Sequence, residues 1–248
     1  MLAAVAAAFL AGVVVGSAQA APSRAEGPAL ATLGPAPSQP PPDEPAYASV
    51  PACTFADERR QPDPWRRWNS IVLDTATTLL PGDVPPDLVD TAQAGLDGGH
   101  LVRAIVIDDL RAMARAARAA GAALAIQSAY RSYAEQAQTF AYWVAAVGRH
   151  EALGRSARPG HSEHQLGTTI DFTSHRAPPW TGRDWAQTNA GRWLLRHAWQ
   201  YGFVMSYPRA ARDVTCYGYE PWHYRYVGRS AAFAQHASGL APREWLLR

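Results

Sequence analysis

The stretch RPGHSEHQLGTTIDF, from Arg158 to Phe172, places two histidines and an aspartate around a glycine and a β-branched run. Gly167 and the TTI run at residues 168–170 favour a turn followed by a strand, because β-branched side chains fit extended backbone. A solvated turn leading into a strand is one explanation of these polar residues. A metal site is the other explanation, since imidazole and carboxylate groups are ligands that zinc accepts in proteins.

A second segment, EPWH, ends at His223 and supplies a further imidazole and a further carboxylate. His164, Asp171 and His223 together give two imidazoles and one carboxylate, a set that suits zinc and leaves a fourth position for water. Glu220 is then a spare carboxylate that can act as general base. Because Pro221 cannot donate to a β-ladder, we expect Glu220 to lie in the loop before the strand and to curl back towards the metal.

The segments around these motifs mix helices with short strands. Leu110 and Met113 share one face of a helix predicted over Asp108–Gly121. Ser132 and Glu135 have the spacing of a capping box and open a further helix. The other predicted elements are strands over Ala122–Ser128 and Glu220–Val227 and a helix over Thr188–Phe203. Since the order is not a regular βαβ alternation, the sequence predicts an α+β fold, a compact single domain with a small, mostly antiparallel sheet and flanking helices.

The N-terminal part of the chain differs in composition from the rest. An apolar run over Leu2–Val15 is followed by small residues ending at Ala20, which predicts a signal peptide or an N-terminal membrane anchor over residues 1–20. Residues 21–52 are rich in Pro, Ala and Ser, so we predict a disordered tether there. The folded domain is then residues 53–248. We expect the protein to be exported, and to be extracellular or associated with the cell wall or membrane.

Charge and cysteine content narrow the functional classes. The 23 basic and 21 acidic residues give a formal net charge of +2, without the clustered basic stripe that binding to nucleic acid requires. We therefore expect no nucleic-acid partner. In an exported protein, the pair Cys53 and Cys216 predicts one disulfide, and two buried free thiols are the alternative.

Three segments resemble, in order, the signatures of the D-alanyl-D-alanine carboxypeptidase family of zinc metallopeptidases, which includes the vancomycin-resistance D,D-carboxypeptidases. The likeness extends from about Leu79 to Val227. Thr169 departs from the alanine that the family commonly has two residues before its aspartate. The matching segments are SAYRSYAEQ (Ser128–Gln136), SEHQLGTTID (Ser162–Asp171) and EPWH (Glu220–His223).

The resemblance implies an α+β zinc peptidase and assigns roles to individual residues. Glu220 would be the general base, and Arg131 would stabilise the oxyanion of the reaction or hold the substrate's carboxylate. The family spacing selects His164 over the neighbouring His161 as a ligand of Zn²⁺. The implied metal ligands are His164, Asp171 and His223, and the implied substrate-cleft residues are Ser128, Gln136, Ser162 and Trp222.

The resulting hypothesis is an exported zinc D,D-carboxypeptidase that removes the terminal D-alanine from peptidoglycan stem peptides. Two alternatives stay open. One is a zinc endopeptidase that cuts within the wall peptide, such as between L-alanine and D-glutamate, since the same groups serve any amide hydrolysis. The other is a non-catalytic wall-binding module, against which the presence of Glu220 argues because a binder needs no base.

Overall fold

The structure is a computed structural model that describes residues 50–57, 59–60, 63–174, 178–181 and 184–248. The predicted signal peptide or anchor lies outside the described residues, as does the predicted tether up to residue 49. No helix in the described ranges is long and apolar enough to cross a membrane. The strands are β1 (Arg59–Arg60), β2 (Thr77–Thr78), β3 (Leu88–Asp90), β4 (Leu101–Arg103), β5 (Ala125–Ser128), β6 (Thr169–Thr173), β7 (Phe203–Met205) and β8 (His223–Tyr226). The α-helices are α1 (Ile107–Ala119), α2 (Tyr133–Val147), α3 (Arg149–Leu153), α4 (Asn189–His197), α5 (Arg212–Thr215), α6 (Arg229–Ser238) and α7 (Pro242–Leu246).

The main sheet has four antiparallel strands in the order β5-β6-β8-β7. Two further pairs are shorter, with β3 antiparallel to β4 and β1 parallel to β2. Helices and strands do not alternate as βαβ units along the chain. The predicted α+β fold with a small, mostly antiparallel sheet is confirmed.

The two central strands, β6 and β8, give the main sheet one polar face and one apolar face. Side chains alternate along a strand, so Ile170 and Phe172 enter the main core while Asp171 points to the other face. The register places Asp171 directly opposite His223, and Ile170 opposite Tyr224. Side chains that lie opposite each other in an antiparallel pair share a face. Asp171 and His223 are therefore neighbours on a polar face that is nevertheless buried.

Helix α1 covers the apolar face of the main sheet. Leu110 and Met113 are fully buried and belong to the same core cluster as Ile170 and Phe172. Gly121 adopts a left-handed conformation with φ 68° just after the helix, as expected of a helix stop. The predicted amphipathic helix is confirmed and ends at Ala119, slightly before its predicted end.

Two predicted strands are shorter than expected. The strand predicted over Ala122–Ser128 begins at Ala125, because the N–H of Ala122 donates to the carbonyl of Ala117 and completes the end of α1. The strand predicted over Glu220–Val227 begins at His223, whose N–H donates to the carbonyl of Glu220 at 3.1 Å. That turn holds Glu220 in the preceding loop, where Pro221 led us to expect it.

The helix predicted over Thr188–Phe203 changes character in the middle. Thr188 caps α4 by accepting the N–H of Gly191, and α4 ends at His197. A 3-10 turn continues to Tyr201, and Gly202 (φ 87°) then reverses the chain into β7. Helical periodicity persists through both kinds of turn, which is why the sequence pattern did not separate them.

Helix α7 is fixed to the rest of the domain by one buried arginine, Arg243. Nε of Arg243 donates to Oδ2 of Asp74 at 2.8 Å, and both side chains are less than a tenth exposed. The Nη1 group of Arg243 also donates to the carbonyls of Pro51 (3.1 Å) and Val214 (2.8 Å). The guanidinium of Arg243 thus links α7 to Asp74, to Pro51 near the start of the described domain, and to Val214 in α5.

Cys53 and Cys216 form a disulfide, as predicted, with their Cα atoms 5.4 Å apart. The bond connects the start of the described domain to the residue that follows α5. Cys216 packs in one buried cluster with Tyr207 and Tyr217. The ring of Tyr207 in turn lies 4.7 Å, centroid to centroid, from the ring of His223.

Replacing both cysteines with serine is expected to lower the free energy of unfolding by roughly 2 to 4 kcal/mol, because the bond restricts the unfolded chain over a long loop. The measurement is urea unfolding of the oxidised protein, the reduced protein and the Cys53→Ser, Cys216→Ser variant. The reduced protein should match the variant. Equal stability of all three samples, or two free thiols in the unreduced unfolded protein, would contradict the disulfide.

Candidate active site

Three buried side chains, His164, Asp171 and His223, converge on the polar face of the main sheet. Each offers one possible ligand atom, and these atoms all lie within 4.8 Å of one another. Nε2 of His164 is 3.1 Å from Oδ2 of Asp171, and Nδ1 of His223 is 3.0 Å from Oδ1 of Asp171. The structure thus brings together the three residues that the sequence predicts as metal ligands.

The local fold fixes the orientation of the His164 ring. His164 lies in a 3-10 turn over Glu163–Leu166, which ends at Gly167 in the left-handed conformation (φ 69°). Nδ1 of His164 is 2.6 Å from the carbonyl oxygen of Ala129. Because a carbonyl only accepts, Nδ1 carries the proton in the neutral ring, which leaves Nε2, on the side of Asp171, as the nitrogen that can bind a metal. A hydrogen bond of this kind is usual for a histidine that binds metal.

The donor set fits zinc. Two imidazole nitrogens and one carboxylate oxygen are typical of catalytic zinc sites, which keep one further position open. His161, the alternative ligand, lies outside the cluster. Its ring is bound on both sides, with Nδ1 2.8 Å from the carbonyl oxygen of Asp74 and Nε2 3.0 Å from Oδ1 of Asp57.

Glu220 lies beside the cluster. Its Oε2 is 3.6 Å from Nδ1 of His223, and its side chain is only 23% exposed. Its N–H donates to the carbonyl of Tyr207 at 3.1 Å. Burial of the carboxyl group raises the pKa of Glu220 to about 7, although the positive charge of His223 opposes the rise. A carboxyl with a pKa near neutrality can both accept and return a proton.

Electrostatic coupling keeps the aspartate of the cluster ionised. Burial alone would raise the pKa of Asp171, but the charges and hydrogen bonds of His164 and His223 outweigh burial and hold that pKa well below its usual range. Burial would also lower the pKa of His223, yet its hydrogen bonds to Asp171 and Glu163 raise it to about 10. The carboxylates beside His223 thus favour positive charge at this place, and a metal ion there would replace the proton on Nδ1 of His223.

Arg131 stands between β5 and α2, at the strand-to-helix junction predicted from the sequence. Its N–H donates to the carbonyl of His164 at 3.3 Å, which ties this junction to the 3-10 turn. The positive charge of Arg131 acts to lower the pKa of Glu220, against the larger effect of burial. Its Nε is buried and has no hydrogen-bond partner within the described ranges. A buried donor without a partner is available to a ligand.

Two of the four predicted substrate-cleft residues, Ser128 and Ser162, adjoin the metal cluster. Ser128 is the residue of β5 that pairs with Asp171 of β6. Ser162 is buried, and its Oγ accepts the N–H of His164 at 3.4 Å. Both serines therefore neighbour a candidate ligand in the fold.

The other two, Gln136 and Trp222, contact neighbouring segments. Gln136 is buried in α2, and its amide donates to the carbonyl of Ala157 at 2.6 Å. Trp222 packs partly against the main core, and its ring meets Trp180 edge-on with centroids 5.7 Å apart. Their predicted contact with substrate stays a prediction.

A buried carboxylate that was not predicted from the sequence, Glu163, lies behind the cluster. Its Oε2 is 3.0 Å from Nε2 of His223, and its Oε1 accepts from Arg225 at 3.0 Å. Burial would raise the pKa of Glu163, but the hydrogen bond from His223 and the charge of Arg225 lower it to about 2. The sequence gives only an indirect signal: Arg225 lies two residues after His223 and shares its face of β8, so a buried carboxylate must pair with it from elsewhere in the chain.

Known proteins with similar sequences belong to the family that the three motifs resemble. Residues 99–229 match the family described as VanY, D-alanyl-D-alanine carboxypeptidase. A D-alanyl-D-alanine carboxypeptidase of Enterococcus faecalis is 30% identical over 202 residues, which cover 78% of this chain and 70% of that protein.

Solved structures of carboxypeptidases have a similar fold. The LdcB LD-carboxypeptidase is similar with a TM-score of 0.63 and 33% identity, over 70% of this chain and 83% of that chain. A variant of the vancomycin-resistance D,D-pentapeptidase VanY, in complex with Zn(II), is similar with a TM-score of 0.61 and 30% identity, over 72% of this chain and 99% of that chain. As its three motifs predicted, the chain belongs to the VanY D-alanyl-D-alanine carboxypeptidase family.

Proposed function

We propose that the protein is an exported, zinc-dependent D-alanyl-D-alanine carboxypeptidase that removes the terminal D-alanine from peptidoglycan stem peptides. The observation that carries the proposal is the position of Glu220, 3.6 Å from His223 and outside the three-residue ligand set. A ligand set with a spare carboxylate next to it has the parts that metal-assisted amide hydrolysis needs. A module that only bound wall peptides would have no use for the fourth group.

Nε2 of His164, Nδ1 of His223 and one oxygen of Asp171 would hold the zinc ion, because these atoms face one another. When bound, zinc would supply Lewis acidity, lowering the pKa of water and polarising the scissile carbonyl. Glu220 would accept the proton of the attacking water and return it to the leaving amine of D-alanine.

Arg131 would act on the substrate with its positive charge. Its backbone hydrogen bond ties the Arg131 backbone to the turn that carries His164, and its buried Nε is available for a new hydrogen bond. Two targets fit a guanidinium in this place. One is the oxyanion that develops as water attacks, and the other is the free carboxylate of the terminal D-alanine.

A second candidate activity is L,D-carboxypeptidase action on a stem tetrapeptide. The similarity to the LdcB LD-carboxypeptidase favours this candidate, since the TM-score of 0.63 is comparable with the 0.61 found for VanY. Both activities would release D-alanine, and the groups of this site could serve either. They differ in the configuration of the residue before the scissile bond, so substrate choice separates them.

The test is digestion of a stem pentapeptide ending in D-Ala-D-Ala by the zinc-loaded protein, followed by assay of free D-alanine and mass spectrometry of the peptide. Release of one D-alanine is expected, leaving the tetrapeptide. A tetrapeptide substrate is digested in parallel. Cleavage of the tetrapeptide alone would favour the L,D activity, an internal cut would favour an endopeptidase, and binding of intact peptides would favour a wall-binding module.

A further inference from the structure

The metal cluster rests on a second, fully buried polar network centred on Glu163. Its Oε2 accepts the hydroxyl of Ser206 at 2.6 Å and lies 3.0 Å from Nε2 of His223. Its Oε1 accepts Nη1 of Arg225 at 3.0 Å. Glu163, Ser206, His223 and Arg225 are all less than a tenth exposed. Ser206 and Arg225 thus both donate to Glu163, and its third contact is with the ring of His223.

Arg225 is itself held firmly. Its Nη2 group donates to the carbonyls of Ile71 at 2.7 Å and Trp68 at 3.1 Å, and its side chain is 1% exposed. A buried carboxylate beside a fixed guanidinium stays ionised, because protonation would leave the arginine's charge without a partner. Glu163 is thus an acceptor and cannot donate to His223.

The acceptor character of Glu163 determines which nitrogen of His223 is free to bind metal. Nε2 faces a group that only accepts, so Nε2 carries a proton. In the neutral ring the lone pair then belongs to Nδ1, which faces Asp171 at 3.0 Å and Glu220 at 3.6 Å. Turning the ring over would break the bond to Glu163 and would aim a C–H group at the cluster.

We propose that Glu163 is a positioning residue that fixes the tautomer and the ring orientation of His223, and thereby sets the affinity of the centre for zinc. Ser206 and Arg225 support this role by holding the two carboxylate oxygens in place. The inference rests on the proposed zinc site and deepens it. Outer hydrogen-bond partners of metal-binding histidines typically change metal affinity by about 10- to 100-fold when they are removed.

The first test is the zinc affinity of Glu163→Gln, measured by competition with a chromophoric chelator. The expected result is a dissociation constant about 10- to 100-fold higher than that of the wild type. A glutamine amide is neutral and has only one acceptor oxygen, so it cannot accept hydrogen bonds from Ser206, His223 and Arg225 as the carboxylate does. At saturating zinc, D-alanine release should recover in part, since the base and the three ligands are unchanged.

Asp74→Asn is the matched control. Asp74 is a second buried carboxylate that pairs with an arginine, Arg243, at 2.8 Å, and its oxygens also accept the N–H groups of Ala76 and Thr77. Its replacement should destabilise the fold while leaving the zinc affinity of the folded protein unchanged. An equal loss of zinc affinity in Asp74→Asn and Glu163→Gln would show a general effect of destabilisation and would overturn the proposal.

A measurement on the wild type needs no variant to fold. Nitrogen-15 NMR of the zinc-loaded protein should show a slowly exchanging proton on Nε2 of His223 and none on Nδ1. The opposite tautomer would overturn the proposal, as would unchanged zinc affinity in Glu163→Gln. If the wild type itself binds no zinc, the proposed function falls together with this inference. The opposite tautomer, or unchanged zinc affinity in Glu163→Gln, overturns the inference alone.

Discussion

Replacing Glu220 with glutamine is expected to lower kcat for D-alanine release by about 10²- to 10⁴-fold, the contribution typical of a general acid–base group. Glutamine has nearly the same shape and preserves the backbone hydrogen bond to Tyr207, but it cannot accept a proton. Zinc affinity should stay at the wild-type level because Glu220 lies outside the ligand set. The measurement pairs steady-state kinetics on the pentapeptide with a zinc titration.

Glu151→Gln serves as the control for this substitution. Glu151 is an exposed carboxylate in α3, so the same chemical change there should leave both kcat and zinc affinity unaltered. Two results would contradict the assignment of Glu220. Unchanged kcat in Glu220→Gln would mean that another group takes the proton, and a large loss of zinc would mean that Glu220 binds the metal directly.

Replacing Arg131 with methionine is expected to lower kcat/KM for the pentapeptide by about 10²- to 10³-fold, the scale of a preorganised donor in the transition state. Methionine keeps much of the length of the side chain and removes its charge and its donors. The two roles of Arg131 differ in which constant changes. Loss of an oxyanion contact lowers kcat, whereas loss of a contact with the substrate carboxylate mainly raises KM.

A pentapeptide amidated at its C-terminus separates the two roles further. If Arg131 holds the terminal carboxylate, the wild type should cleave the amide poorly and Arg131→Met should reduce that residual rate little. If Arg131 stabilises the oxyanion, the substitution should impair both substrates equally. The control is Arg115→Met, because Arg115 is an exposed arginine on α1. An unaffected kcat/KM in Arg131→Met would remove Arg131 from the proposed site.

The sequence predicted the parts of this protein that depend on local chemistry. The capping box of α2 forms between Ser132 and Glu135 as expected, since both of its hydrogen bonds lie within one turn. The periodic face of α1 is buried because the spacing of Leu110 and Met113 fixes it. The ligand cluster was also predicted, because its motifs resemble those of a known family.

The parts that the sequence did not reveal depend on partners far away in the chain. Glu163 was passed over because a glutamate next to a histidine has no distinctive local pattern. Its role follows from Arg225, 62 residues away, and from Ser206, 43 residues away. The predicted strands began too early where the chain makes a turn before the strand, as at His223. The hydrophobic pattern does not show which backbone groups form the hydrogen bonds of a turn.

The long-range contacts made by Arg243 also bear on the order in which the domain folds. The pairing of Arg243 with Asp74 spans 169 residues, that of Arg225 with Ile71 spans 154, and the disulfide spans 163. Contacts of such separation slow folding, because a long loop must close before they can form. A chain emerging from the ribosome exposes the Asp74 region long before Arg243 exists. Complete closure of this domain therefore requires the part of the chain that carries Arg243.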